Sequence, residues 1–582
     1  MQITGKGIRT PDATLTVFHD GTAVRTPPGV SVAAALTNAG ILACRSTAAG
    51  DRGVFCGMGV CAECTVAIDD RPGQLACMTI VHDGMRIERQ PVRPRPDVTA
   101  PAPEAIPEQV LSPELLVVGG GPAGLAAAAT AAEAGVDVLL VDERAKLGGQ
   151  YYKQPATTFE VDPHRLDHQY TRGRALIERV QAAGVRVLGG ARIWGADGAR
   201  ELYASDGTSR WVIRPGRLVL ATGAYERVVP FPGWTLPGVM TTGAGQSLAR
   251  AYQVAPGRRV LVAGNGPLNV QLAAELSRAG GDVAALVELA RVTSPAHAAD
   301  LARMAGASPQ LVREGLGYLA TLRRAKVPML TGRAVVRVEG TERAEHAVVA
   351  RLDADGRPVP GTEQGFDVDA VCVGLGFMPG NEVARLIGAH HTVDPATGGY
   401  VVTRTDRGRT SLDGVWVVGD GAEVRGAKVA ENAGVLVGAD VAASLDRPAH
   451  VLTGLAGLAR ARRDMRRHER FQRALWRVYR GPALFSQLAE PDTVVCRCES
   501  VPLETIDTAV DTADSAGAVK RLTRGGMGRC QGRFCGFVIA DRVAGRTGTA
   551  VDGFAGFAPQ PPMRPTPISV LAAPESDGQE GS

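Results

Sequence analysis

The sequence predicts a multidomain α/β chain. Two observations in its middle and one at its ends predict this. An apolar run, Leu115 to Val118, enters Gly119-Gly120-Gly121-Pro122-Ala123-Gly124 and then an Ala-rich helix; a second apolar strand, Val136 to Val141, follows. The same order recurs at Arg259-Val-Leu-Val-Ala-Gly264-Asn-Gly266, a helix to Ala279, and a strand ending at Glu288. Strand–glycine loop–helix–strand is the βαβ unit of a parallel sheet. At the ends, eight of the ten cysteines fall into two groups of four, one before and one after this core. A small domain on each side is expected.

Size and charge agree with that division. A chain of 582 residues folds as several domains. Its net charge of +4 is too small to imply a nucleic-acid partner. The start, Met1 to Leu15, carries no apolar signal core, and no stretch is long enough to span a bilayer. A cytoplasmic protein is expected, with peripheral contact at the inner membrane left open. Ten cysteines in such a chain point to metal or redox chemistry before structural disulfides. Cys372 lies in an apolar strand and reads as a small buried hydrophobe, and Cys44 can be read the same way.

In residues 1–95, Leu15 to Phe18, Asp20-Gly21 and Thr22 to Arg25 read as a hairpin with an Asp-Gly turn. Ser31 to Ala39 reads as a short helix closed by Gly40. Cys56, Cys61 and Cys64, with Cys77 further on, have the C-x4-C-x2-C…C spacing of plant-type [2Fe–2S] ligands. Gly53, Gly57 and Gly59 suit a loop that turns backbone N–H groups toward cluster sulfurs. Zinc also takes four thiolates but favours two short hooks, so it ranks lower. The segment resembles the small ferredoxin-like subunits and domains of bacterial amine and molybdenum hydroxylase systems, which implies a β-grasp fold. Residues 96–112 are Pro-rich and read as an extended tether.

Residues 113–248 and 365–450 are expected to form one nucleotide-binding domain, with 249–364 inserted as a second. Gly119 permits the tight turn, Gly121 close approach of a pyrophosphate, and Gly124 close helix–strand packing; the helix N-terminus faces the phosphates. Glu143, nineteen residues past Gly124, is the acid expected at the ribose. The unit continues into Gly149 and Gln150. A strand ending at Thr222-Gly223, and Asp413 to Gly419-Asp420 later, complete a set that resembles the two-dinucleotide-binding-domain flavoproteins, relatives of thioredoxin reductase and ferredoxin reductase. That resemblance implies FAD at Gly119, Gly121, Gly124 and Glu143, with Gly149 and Gln150 in the same set. It makes Thr222 and Gly223 the crossover between domains, and puts Asp420, after Gly419, on the ribityl chain or diphosphate. It places a nicotinamide nucleotide at Gly264, Gly266 and Glu288. This second copy departs from the pattern, because Asn269 stands where the third glycine belongs. Glu288 would accept a ribose hydroxyl and repel a 2′-phosphate, so NAD or another adenosine nucleotide is favoured over NADP. The unit reads equally as a working NADH site and as a domain retained with a weakly bound or non-reacting nucleotide. No Cys-x2-Cys or Cys-x4-Cys occurs in residues 113–450, which argues against disulfide reduction.

Residues 451–490 read as a basic helical linker. In 491–550, Cys496-Arg-Cys498 and, after thirty-one intervening residues, Cys530-x4-Cys535 resemble the bacterioferritin-associated ferredoxin-like domain. This implies a small helical [2Fe–2S] fold. Residues 551–582 read as a flexible tail.

In this order the domains resemble the α-type subunits of bacterial opine oxidase, hydrogen cyanide synthase and hydroxyproline dehydrogenase, with the ferredoxin-like piece fused at the front. The resemblance implies a hetero-oligomer. The expected partner is a β-type FAD subunit that oxidises the C–N bond of an amino or imino acid, with quinone, oxygen or a soluble carrier as electron acceptor. A stand-alone NADH-dependent flavin/iron–sulfur reductase is the alternative, and a redox-silent scaffold is the third reading.

Overall fold

The computed structural model describes residues 1–92, 106–394, 399–447, 450–553 and 555–572. The amino-terminal domain is a five-stranded sheet in the order Thr22–Thr26, Leu15–His19, Arg86–Arg89, Thr65–Ile68, Arg71–Leu75. Asp20 and Gly21 take φ of 46° and 79°, the left-handed pair a two-residue hairpin turn requires. Ser31 caps the helix Val32–Asn38 by accepting the Ala34 N–H at 3.2 Å. The helix packs its buried Val32 and Leu36 onto the sheet.

Two five-stranded parallel sheets form the core. In the first the order is Arg186–Gly189, Val138–Asp142, Leu115–Val118, Arg217–Leu220, Val415–Val417. Its inner strands are mostly apolar because both faces are covered, one by the helices Pro122–Glu133 and Ala427–Ala443 and the other by Ile193, Leu202, Ala204, Trp211 and Ile213 of an antiparallel strand layer. The helix after the first glycine loop, Pro122–Glu133, meets the helix Ala427–Ala443 at backbone distance. A Cβ on Gly434 would strike the Ala123 carbonyl, and one on Gly438 would stand 2.5 Å from the Ala127 carbonyl oxygen. In the second sheet the order is Val239–Thr241, Ala370–Gly374, Arg259–Gly264, Asp282–Glu288, Met329–Thr331. Thus the second unit begins before residue 249 and ends after residue 364. The two strands outside those bounds, Val239–Thr241 and Ala370–Gly374, are short apolar runs that local sequence alone assigns equally well to either sheet.

Three further expectations are corrected. The tether ends sooner than its composition suggests, since Glu108–Leu111 is a strand paired in parallel with Arg210–Ile213; its residues 93–105 lie outside the described residues. The basic linker is helical only over His450–Val478, short of the expected end at residue 490. It buries Phe471, Ala474, Leu475 and Val478 against Met304 and Ala307, and pairs Arg477 with Asp300 at 2.7 Å. The tail is packed over 555–572. Phe557 lies against Gly526 and Gly532, Met563 is buried, and the Met563 N–H donates to the Trp194 carbonyl at 2.8 Å. Its Pro and Gly content hid the few apolar anchors that hold it; residues 573–582 lie outside the described residues.

The carboxy-terminal unit has helices Leu503–Val510, Ala516–Thr523 and Gly536–Thr547, which enclose Ile506, Val519 and Ile539 beside Cys496 and Cys535. Among the described residues no helix is long and apolar enough to cross a membrane.

Candidate redox site

The first glycine loop is shaped for a close-lying ligand. Gly119 has φ of 107°, and a Cβ there would run into the Ala221 carbonyl. Gly121 caps the helix with no side chain, and only the Gly149 Cα, at 3.9 Å, approaches the place a Cβ would take. Gly124 has no room either, because its Cβ would overlap the Gly119 carbonyl. Gly149, at φ 63°, faces Gly121 from the other side, with Gln150 half-buried next to it. Bare backbone from two loops therefore meets at a helix N-terminus, where a diphosphate can approach the N–H groups closely.

The carboxylate that faces the glycine loop is that of Asp142, with Glu143 turned away from it. Strand register pairs Val118 with Val141, so the next residue on each strand, Gly119 and Asp142, come level. The Asp142 carboxylate accepts the Gly120 N–H at 2.6 Å and the Arg144 N–H at 2.7 Å. Burial pushes its pKa up to about 6 despite these bonds. Glu143 points the other way, 3.8 Å from Arg192 and 4.0 Å from Arg564. Adjacent strand residues face opposite sides, so a one-position error reverses the side chain.

Thr222 and Gly223 sit at the crossover. The Thr222 hydroxyl donates to the Gly380 carbonyl, and the Gly380 N–H donates to the Gly223 carbonyl at 2.8 Å. Gly419, at φ 72°, opens the turn that carries Asp420. The Asp420 carboxylate accepts the Arg425 and Gly426 N–H groups, both at 2.9 Å; burial raises its pKa, and these two donors hold it back. These loops adjoin one another, Gly149 against Gly121, Gly419 against Ala123 and Gly421 against Thr222, and their bare backbone and acids fit FAD.

The second loop is built alike and finished differently. Gly264 and Gly266 take φ of 146° and 118°. Asn269, at the third glycine position, is part of the packing. It is buried, donates to the Gly374 carbonyl at 2.9 Å and accepts the Thr242 hydroxyl at 2.6 Å, tying the helix to the neighbouring strand. Glu288 is buried and accepts the Gly266 N–H at 3.1 Å and the Ala290 N–H at 3.0 Å; burial pushes its pKa up to about 8. The basic helix covers this loop, with Trp476 Cζ3 3.8 Å from the place of a Gly266 Cβ.

Each group of cysteines forms a shell of two sulfur pairs, all free thiols. Cys56 lies against Cys61 and Cys64 against Cys77; Cys498 lies against Cys530 and Cys496 against Cys535. Among the described residues no three donors converge on a single metal ion. Two pairs per shell fit a centre with two irons and four thiolates. The loops turn donors inward. The Cys61 and Met58 N–H groups reach Cys56 Sγ at 3.4 and 3.5 Å, and the Glu63 N–H reaches Cys61 Sγ at 3.4 Å. Burial pushes the Cys56 thiol up, but the Cys61 thiol and those N–H groups outweigh it and bring it down to about 6. Cys530 comes down to about 7 through its bond with Cys498, against burial and with the Phe534 and Gly532 N–H groups. Cys44 and Cys372 are fully buried; burial pushes Cys44 up to about 12 and Cys372 up as well, so both stay protonated.

Sequence reasoning missed Asp142, and it missed Glu63 and Arg497. A signal existed for the last two, because each is a charged residue enclosed between two cysteines of a loop that must be buried.

Residues 113–434 match the family described as pyridine nucleotide-disulphide oxidoreductase, which is more than half of the chain. The chain belongs to that family; it is a flavin-dependent oxidoreductase with FAD- and [2Fe–2S]-binding domains. Residues 12–91 match a 2Fe-2S iron-sulfur cluster binding domain, and 493–575 the sarcosine oxidase A3 domain. Among its relatives, hydrogen cyanide synthase subunit HcnB of Pseudomonas aeruginosa is 33% identical over 78% of this chain and 97% of its own length. An opine oxidase subunit of Agrobacterium tumefaciens is 30% identical over 79% of this chain and 91% of its own length. The crystal structure of L-proline dehydrogenase from P. horikoshii has the same fold, with a TM-score of 0.68, 21% identity and coverage of 97% of this chain and 99% of that one. Two of these relatives, the hydrogen cyanide synthase and opine oxidase chains, are named as subunits.

Proposed function

We propose that this chain is the electron-transfer subunit of a complex that oxidises an amino or imino acid at its C–N bond, a second FAD-bearing subunit supplying the amine site. One observation carries the reading: the first cysteine loop is seated directly on the nucleotide-binding core. Arg144, two residues after Asp142, donates to the Gly57 carbonyl at 2.9 Å, and a Cβ on Gly57 would stand 2.8 Å from the Ala244 Cα. A bound flavin exchanges two electrons or one, and a [2Fe–2S] centre exchanges one at a time.

This chain's residues do the holding. Gly121 and Gly149 would take the diphosphate, Asp142 a ribose hydroxyl, and Asp420 the ribityl end of FAD. Cys56, Cys61, Cys64 and Cys77 would hold one [2Fe–2S] centre; Cys496, Cys498, Cys530 and Cys535 would hold a second. The one cysteine in the nucleotide-binding core, Cys372, is sealed in a strand and protonated, so no thiol there competes as an electron outlet. The buried Glu288 and the cover of Trp476 argue for hydride entry elsewhere than the Gly264 loop.

An anaerobic titration of the purified chain with NADH, following flavin and iron–sulfur absorbance together, tests this. The expected result is no prompt bleaching by NADH, full reduction by dithionite, and reduction by an amino or imino acid only when the second subunit is present. Prompt bleaching of both chromophores by NADH alone would make the chain a stand-alone reductase.

A further inference from the structure

The two cysteine shells are joined by a buried charged contact between the first and last domains. Glu63, inside Cys61-Ala-Glu-Cys64, is only 1% exposed. Three guanidinium groups converge on it: Arg45 at 2.7 Å, Arg497 at 3.2 Å and Arg52 at 3.7 Å. Arg497 comes from the other shell, between Cys496 and Cys498. Its head also donates to the Trp234 carbonyl at 2.5 Å and lies 3.9 Å above the Phe55 ring and 4.7 Å from that of Trp234. Trp234 in turn donates its indole N–H to the Val494 carbonyl at 2.6 Å. Two more contacts cross the same seam. Cys498 Sγ lies 3.9 Å from the Cys61 carbonyl oxygen, and Phe55, next to Cys56, meets Phe534, next to Cys535, edge to face at 5.7 Å.

The charge balance at this seam is lopsided. Three buried arginines share one carboxylate. Arg45 Nε, Arg52 Nε and Arg52 Nη2 are buried without a hydrogen-bond partner among the described residues. A buried cation without a counter-charge is strongly unfavourable, so a surplus is kept where other anions lie close. The two thiolate shells that flank the seam are such anions. Iron–sulfur centres carry net negative charge through their thiolates and sulfides, and each gains a further negative charge on reduction.

We infer that Glu63 and Arg497 are positioning residues that bind the two cysteine shells into one two-centre unit, whose centres are direct electronic neighbours sharing a buried arginine surplus. The inference rests on the reading of both shells as [2Fe–2S] sites. The step it implies is the movement of one electron: one centre is oxidised as the other is reduced, with no bond broken and no proton moved. Arg497 and Glu63 act through charge and placement; neither is a ligand.

The test uses the full-length chain loaded with both centres. In electron paramagnetic resonance, a partly reduced sample should give a sharp signal. A fully reduced one should give signals broadened or split by interaction between the two spins. Redox titration of variants supplies the second readout. Arg497→Met should lower both midpoint potentials, Glu63→Gln should raise both, and Arg497→Lys should restore most of the wild-type values. Two sharp, independent signals in the fully reduced wild-type chain would overturn the joint, as would substitutions that move one potential only. That spectrum needs no variant, so a misfolded Arg497→Met leaves the answer intact. An iron content showing a single centre fails the two-shell reading, which is a different result from two centres that do not interact. Spin interaction without electron delivery from an amine-oxidising subunit would support the joint and count against the proposed function alone.

Discussion

The chain contains two glycine-loop units of the same topology, and they differ in how the loop is closed. In the first, Gly124 lets the helix backbone touch the Gly119 carbonyl, Asp142 remains half-buried, and Gly121 and Gly149 meet as bare backbone at the helix N-terminus. In the second, Asn269 fills the corresponding space and bonds to Gly374 and Thr242, Glu288 is sealed in, and Trp476 lies over Gly266. The acids also differ at neutral pH. With a pKa near 6, Asp142 is ionised and able to accept a hydrogen bond from a hydroxyl; with one near 8, Glu288 is mostly protonated. In the reading proposed above, the first unit takes the nucleotide, whereas the second serves as a packed domain. One motif can thus serve as a site or as a support, and the third glycine position and the covering helix separate the two.

The largest expected effect comes from forcing the difference. Gly124→Val puts a side chain into the Gly119 carbonyl, so bound flavin should be lost and stability should fall by about 3 kcal/mol or more, since an overpacked core cannot relax around backbone. Flavin absorbance per chain and a urea midpoint measure both. The matched change, Asn269→Ala, removes two buried hydrogen bonds and should cost about 1–3 kcal/mol while leaving flavin in place. Equal flavin loss in both variants would erase the distinction.

Next in size is a pH effect on the second unit. Glu288 holds its proton more tightly folded, near pH 8, than unfolded, near its ordinary 4.5. Its contribution is therefore complete below about pH 4.5 and is lost as pH rises toward about 8, with a slope of at most about 1.4 kcal/mol per pH unit. Glu288→Gln should flatten that slope in urea unfolding of the flavin-free chain. Asp142 has the same sign over a narrower window, from 3.8 to about 6, so the two acids can be told apart by where the slope ends.

Asp142→Asn should weaken FAD binding by about ten- to a hundredfold, through loss of a charge-assisted hydrogen bond worth roughly 1.5–3 kcal/mol. The smallest effect is expected from its neighbour. Glu143→Gln touches only long ion pairs with Arg192 and Arg564 and should change FAD affinity by less than about twofold. Flavin release measured by fluorescence compares the pair, and a larger effect at Glu143 would return the ribose role to that residue.

Much of this molecule was legible in the sequence, because the requirements are local. Gly119, Gly121 and Gly124 answer to a turn and a helix that lie within a few residues of one another. Cys56, Cys61 and Cys64 must be closely spaced to wrap one centre, and Asp20-Gly21 specifies its own hairpin. Such demands are written into contiguous residues, so the two cysteine groups, the two βαβ units and the hairpin were all readable. Three-dimensional packing decided the remainder. Strand register, which depends on the whole sheet, selected Asp142 over Glu143. The strands Val239–Thr241 and Ala370–Gly374 joined the second sheet although nothing in their composition chooses between the two. Phe557 and Met563 found pockets that only other domains provide. The contact of Glu63 with Arg497 spans 434 positions of chain. A periodicity or a spacing reports on neighbours along the chain. A buried charge pair is settled by which surfaces meet and exclude water, and that is fixed only when the first and last domains close on each other.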